Sequence, residues 1–203
     1  GDEVRGALGD DPNAAQEWES ALSRIERQIM QYMETHQMRV TMNEAMTQLV
    51  LAGNVLLFLP PKEGGMKLYR LNSYVITRDG IEIVTKESIA YGALPLEAQN
   101  AIDGESIEPH KAYDIYTHVY LEGDTYLSYQ EVDGNIISGS EQSYPRSASP
   151  WIPLRLRKMD GESYGRSFVD EYIGDLKSLE ALSKAVTEVA AIASNIIFIV
   201  SPN

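Results

Sequence analysis

The apolar positions of this chain recur with a helical period near both ends, and as alternation or short solid runs between. From Ala14 to His36, Trp18, Leu22, Ile25, Ile29 and Met33 step by four, three, four and four, which predicts an amphipathic helix. Glu17, Ser20, Arg24, Arg27 and Gln31 occupy its other faces. A break near His36–Arg39 leads to a second helix from about Met42 to Ala52, with Met42, Ala45, Met46, Leu49 and Val50 expected inward and Gly53 as its C′ residue. Val55–Leu59 is a solid apolar run stopped by Pro60-Pro61, the pattern of a buried strand. Shorter strands are predicted at Met66–Arg70, Tyr74–Thr77 and Ile81–Thr85, the last two joined by a turn at Arg78-Asp79-Gly80. Lys86–Ala101 reads as helical turns, with Pro95 suited to a first turn.

From Lys111 the period becomes two. Tyr113, Ile115, Thr117, Val119 and Leu121 alternate with Asp114, Tyr116, His118 and Tyr120. Turns at Glu122-Gly123-Asp124 and Asp133-Gly134 return the chain through Tyr126–Val132 and Asn135–Ser138, a three-stranded meander. Ser140–Pro150 reads as a polar connection, and Ile152–Arg157 as a further strand that Pro150 and Pro153 place at an edge. A Gly-rich turn, Asp160 to Ser167, opens the longest helical pattern, Ser167–Ala193, and Ile196–Val200 is a strand-like run beyond it. Helices and hairpins segregated in this way argue an α+β fold: a helix pair, a mostly antiparallel sheet, a long helix and a terminal strand.

With 203 residues, 43% of them hydrophobic, the chain can form one substantial domain with an extension. Its lack of Cys excludes disulfides, thiolate metal sites and a Cys nucleophile. It has no apolar run near the ~20 residues that span a bilayer, and its opening Gly-Asp-Glu-Val-Arg is not a signal-peptide pattern. A formal charge of -13 repels nucleic acid over most of the surface, so tight nonspecific DNA binding is disfavoured while loose sliding contact is not. Residues 1–13 read as an exposed lead-in. The start at Gly1, and the stop three residues after an apolar run, lead us to expect a piece of a longer protein.

Little in the chain resembles a catalytic constellation. His36, His110 and His118 have no partner at metal-ligand spacing. Asp10-Asp11 and Asp170-Glu171 can be drawn as acid/base or metal pairs, but in an acidic chain a charged face is the favoured reading. There is no Gly-x-Ser-x-Gly elbow and no phosphate loop. Neither a cofactor nor a metal is expected. The Tyr bias, twelve against three Phe, concentrates in Tyr113, Tyr116, Tyr120, Tyr126 and Tyr129, where a protein interface and cross-strand packing weigh about equally. Arg155, Arg157, Lys158 and Arg166 gather before the long helix. They are candidates for charge contacts, with ion pairs to an acidic neighbouring subunit favoured over phosphates.

Along Ser167–Ala193, Val169, Ile173, Leu176, Leu179, Leu182, Val186, Val189 and Ala193 line one side, with Ser167 placed to cap and Asp170-Glu171 in the first turn. At ~1.5 Å per residue the helix runs about 40 Å, long for one domain to bury. Gly174 is a site for close packing or a bend, and Ala181, Ala185, Ala190, Ala191 and Ala193 allow close approach of another helix. Such a helix either docks on its own sheet or lines up with copies of itself.

Long stretches of the chain resemble a known family. Val50-Leu51-Ala52-Gly53-Asn54-Val55-Leu56-Leu57, Tyr69-Arg70-Leu71-Asn72-Ser73-Tyr74-Val75, Ala93-Leu94-Pro95, Asp160-Gly161-Glu162-Ser163-Tyr164-Gly165-Arg166-Ser167 and Glu171-Tyr172-Ile173-Gly174-Asp175-Leu176-Lys177-Ser178-Leu179-Glu180 are similar to the central part of portal (head-to-tail connector) proteins of short-tailed, podovirus-type bacteriophages. The resemblance implies a non-enzymatic subunit of a homo-oligomeric ring, typically dodecameric, at the portal vertex of the virion capsid, assembled in the host cytoplasm. Double-stranded DNA would pass through its channel without sequence-specific binding during packaging and ejection. Implied partners are terminase, tail or adaptor proteins, and capsid or scaffolding proteins, with no membrane. Residues 1–160 would be wing, 161–195 a stem helix and 196–203 the start of a clip. The stem stripe Val169, Ile173, Leu176, Leu179, Leu182, Val186 and Val189 would face neighbouring subunits or the channel. Two rivals remain: an adaptor whose terminal helix binds one partner, and, with less behind it, a carboxylate-dependent enzyme.

Overall fold

A computed structural model describes residues 12–61, 64–77, 79, 81–102 and 110–194, and every structural statement below concerns these. Residues 1–11 of the 1–13 lead-in, the run Ile196–Val200 with its clip assignment, and Arg78 and Gly80 of the proposed turn lie outside them, while Pro12 and Asn13 are helical rather than lead-in. The first helix, α1, is Pro12–Thr35, and α2 is Met38–Ala52. Between them His36 and Gln37 turn the chain, Gln37 in the left-handed region at φ 53°. Gly53, at φ 70°, ends α2, its N–H donating to Leu49 O at 2.9 Å. A left-handed residue at this place satisfies a carbonyl that the helix end leaves orphaned.

Two antiparallel sheets follow. In the first, β1 (Asn54–Phe58) is central, flanked by β2 (Lys67–Tyr69) and β9 (Trp151–Arg155). The second runs β3 (Tyr74–Ile76), β4 (Ile83–Ala90), β5 (Ala112–Glu122), β6 (Thr125–Val132), β7 (Asn135–Ile136), with β8 (Gln142–Pro145) also on β6. A short ribbon pairs β10 (Arg157–Lys158) with β11 (Gly165–Arg166).

The solid apolar run of β1 has a direct cause, because both of its faces are covered. Val55 and Leu57 pack with Ala45, Met42 and Leu49 of α2, whereas Leu56 packs with Tyr69, Ile83, Val119 and Trp151 between the sheets. A further cluster, Leu94, Ala98, Ile102, Ile115, Val132 and Ile137, forms where the short α3 (Leu96–Asn100) covers the second sheet. The meander agrees with the alternation: Ile115, Thr117 and Val119 are buried, while their neighbours are partly exposed. Asp133 and Gly134 both have positive φ, 52° and 80°, as a two-residue hairpin turn with the strands' own twist requires.

Within β9, Pro153 stands opposite Leu56 of β1. Leu59 N donates to Pro150 O and Leu156 N to Gly53 O, and the alternation between these rungs puts the Pro153 nitrogen on the outer side. The expected edge position is observed.

Three local expectations are corrected. Lys86–Ala90 is not helical: it continues β4, in register with Tyr116–Ala112 of β5. Cross-strand pairing over the whole of β4 overrides a segment with weak strand propensity. Met46 and Val50 do not face inward. They are exposed, because α2 turns inward only the narrow line Met38, Met42, Ala45 and Leu49. Ser140–Pro150 is not merely a connection, since it contains β8 and a 3₁₀ turn at Arg146–Ala148. The last element is α4, Phe168–Ser194, within a residue of its expected bounds.

Candidate assembly surface

Not one residue of α4 is buried, although it has 27 residues. Ile173, Leu176, Leu179, Leu182, Val186 and Val189 are all exposed, with Phe168, Tyr172 and Ile192 alongside, and Val169 is half-buried near the root. This is a continuous apolar stripe about 35 Å long, which water alone covers poorly. Asp170, Lys177, Lys184 and Glu188 fall on the opposite side by helical spacing, with Glu180 on the flank. A Cβ added at Gly174 meets nothing within 4 Å, so no packing within this chain requires that glycine.

The start of α4 is, by contrast, closely held. Ser167 is the cap: its Oγ accepts from Asp170 N at 2.9 Å and donates to the Asp170 carboxylate at 2.8 Å. The same carboxylate accepts from Ser167 N at 3.1 Å, which completes a reciprocal capping box. These bonds, to the backbone and side chain of Ser167, hold the Asp170 carboxyl below its ordinary range.

Upstream, the carboxamide of Asn54 is buried against Gly165. Its Oδ1 accepts from Gly165 N at 2.6 Å, and its Nδ2 donates to Gly165 O at 2.7 Å and to Ala52 O at 2.9 Å. Gly53 lies so close to this segment that an added Cβ would stand 2.6 Å from Arg166 C and Ser167 N.

The four basic residues divide among different tasks. Arg157 pairs with Glu171 at 2.5 Å and lies over the Phe168 ring, 5.4 Å from its centroid. Arg166 pairs with Glu162 at 2.6 Å, which lowers the Glu162 pKa and raises that of Arg166. Arg155 donates to Thr77 O at 3.2 Å, and Lys158 is exposed on β10. Arg157 therefore ties the helix root to the β10–β11 ribbon, whereas Arg166 pairs within the turn that precedes the helix. These pairs are half exposed, so solvent screening leaves them little net weight.

A second unpartnered stripe runs along α1, where Trp18, Leu22, Ile25 and Ile29 are all more than half exposed. Its pattern is plain in the sequence, but its exposure is not. The Asn54–Gly165 contact had no signal in the sequence, because its partners are 111 positions apart. Among the described residues no cluster of His, Asp and Glu could hold a metal ion, and no helix is long and apolar enough to cross a membrane. His118 stacks on Tyr129 with centroids 4.7 Å apart and lies 3.3 Å from Glu131, a sheet-face contact.

A helix held at its root and exposing an apolar stripe beyond it is equipped for association. Comparison with known proteins gives that arrangement a family. The family described as bacteriophage head to tail connecting protein matches residues 6–203. The chain belongs to that family. This connector-family chain is 47% identical to the portal protein of Escherichia phage T7 over 204 residues, covering 95% of this chain and 38% of that protein. It is 45% identical to the portal protein of Enterobacteria phage T3 over 203 residues, again 95% and 38%. With the portal protein of Enterobacteria phage SP6 the identity is 27% over 188 residues, 89% of this chain and 36% of the relative. The chain thus spans less than two fifths of the length of these relatives.

Proposed function

We propose that this connector-family chain is the central region of a portal ring subunit, a structural conduit through which double-stranded DNA enters and leaves a phage head. The observation that carries the reading is α4, an apolar-striped helix with no buried residue, on a domain whose own sheets are already packed. Copies placed side by side would cover Val169, Ile173, Leu176, Leu179, Leu182, Val186 and Val189. The two-sheet body with α1 and α2 would be wing, residues 161–195 stem, and 196–203 the entry to the clip. The net charge of -13 suits a conduit that DNA must slide through. With Arg157 and Arg166 engaged at the helix root, contact with an acidic neighbour falls to Lys158. The role is structural and non-enzymatic, with packaging motor, tail and capsid proteins as partners at the portal vertex.

The test is mass photometry of this chain and of a chain extended to the relatives' full length. We expect a closed ring from the extended chain, and monomer or weak association from this one. An extended chain that stays monomeric at high concentration overturns the ring, and a one-to-one complex with a single partner favours an adaptor.

A further inference from the structure

A helix of about 40 Å is a lever, and about 10° of freedom at its root moves the far end by about 7 Å. Copies can match stripes only if each helix leaves its domain in one direction. The end distant from the domain has no buried residue to steer it, so the direction must be set at the root.

We propose that Asn54 is the positioning residue that fixes the angle at which α4 leaves the domain. The purpose assigned to that angle rests on the ring reading; the positioning itself does not. Asn54 is 2% exposed, and its carboxamide meets the Gly165 peptide at two points, as one strand meets another. The second Nδ2 hydrogen takes Ala52 O, so one side chain joins the end of α2, the start of β1 and β11. Only Arg166 and Ser167 separate Gly165 from the first helical residue, which leaves almost no slack.

Glycine on both sides makes this approach possible. At Gly53 a Cβ would collide with the backbone of Arg166 and Ser167 at 2.6 Å; at Gly165 it would stand 3.0 Å from Gly53 O. The site selects its side chain by chemistry. Asp would turn a carboxylate oxygen toward Gly165 O and Ala52 O, where Asn offers donors. Leu would leave three backbone groups unpaired, and Gln is a methylene too long for the two-point contact. Ser167, itself 1% exposed, closes the helix start just beyond.

The chain contains no Cys, so paired labels can be placed without background. Spin labels at Val75→Cys on β3 and Ser183→Cys on α4, both exposed, report the angle as a distance distribution. We expect a narrow distribution in the parent chain. In Asn54→Asp it should widen by about 4 Å for each 10° released, since Ser183 lies about 22 Å along the helix. Amide protection of β5 and β6 should meanwhile persist. Gly165→Ala is the second variant, and a smaller widening is expected from it.

Unchanged width in either folded variant overturns the proposal. So does loss of β5 and β6 protection in both, which would make Asn54 a general core residue. A widened distribution together with an extended chain that forms no ring upholds the positioning and rejects the ring reading.

Discussion

Replacing Leu179 with Asp separates folding from assembly. Leu179 is 61% exposed at the middle of α4 and contributes little to the core. In this chain the substitution costs mainly helix propensity, about 0.5 kcal/mol, and a domain of this size loses about 2–4 °C per kcal/mol. A melting shift of about 1–2 °C follows. Between copies the outcome differs. Full burial of a leucine is worth about 1.5–3 kcal/mol, so covering the exposed three fifths is worth about 1–2 kcal/mol per contact. An unpaired carboxylate buried in the same place adds a penalty of several kcal/mol. A total above about 3 kcal/mol lowers each pairwise association constant more than a hundredfold, and a ring repeats that loss at every interface. Differential scanning fluorimetry of this chain and mass photometry of the extended chain measure the two effects. A melting loss of about 5 °C or more here would show that Leu179 packs within the domain. Rings of unchanged yield would show that the stripe is not an interface.

Three further outcomes follow from the body and the helix root. Leu56→Ala removes a fully buried side chain between the sheets and should cost about 2–5 kcal/mol in chemical denaturation, whereas the exposed Met46→Ala should cost far less. Gly134→Ala places a Cβ in a left-handed turn that is open to solvent; a loss of about 1–2 kcal/mol, with unchanged cores, is expected from the same measurement. The Asp170 carboxyl is depressed in the folded chain, so its contribution is present above the ordinary Asp range and is lost as pH falls through the lower folded value. Amide protection, relative to the intrinsic exchange rate at each pH, should therefore fall in the first turn of α4 below about pH 4, and Asp170→Asn should abolish that step.

Much of the architecture could be read wherever one local cause dominated. The run Val55–Leu59 is solid because β1 is covered on both faces, and a solid run is what such a strand must show. The meander showed its period and both of its turns, since Asp133 and Gly134 carry the backbone conformation that only a few residue types tolerate. The start of α4 followed from Ser167 and Asp170, whose capping needs only local chain. Features that depend on distant partners were hidden. Lys86–Ala90 is a strand because β5 lies beside it, and β8 exists because β6 offers an edge. Met46 and Val50 continue a helical apolar pattern but fall outside the narrow line that β1 covers. At the candidate surface the stripe of α4 was legible residue by residue. The grip of Asn54 on Gly165 was not, because an Asn after a Gly reads equally well as part of a turn.

Pro153 gives the open side of the first sheet a property that crowding makes valuable. A strand edge with free N–H groups is an invitation to any other strand, and copies held side by side raise the local concentration of such edges far above that in solution. At the middle of β9 the outward nitrogen carries no hydrogen, so an incoming strand would find a gap in the ladder there. Association is thereby steered away from backbone pairing, which joins almost any two edges, toward side-chain surfaces that fit only one neighbour. In the proposed ring, the same proline that marks β9 as an edge would also keep neighbouring copies from pairing along that edge.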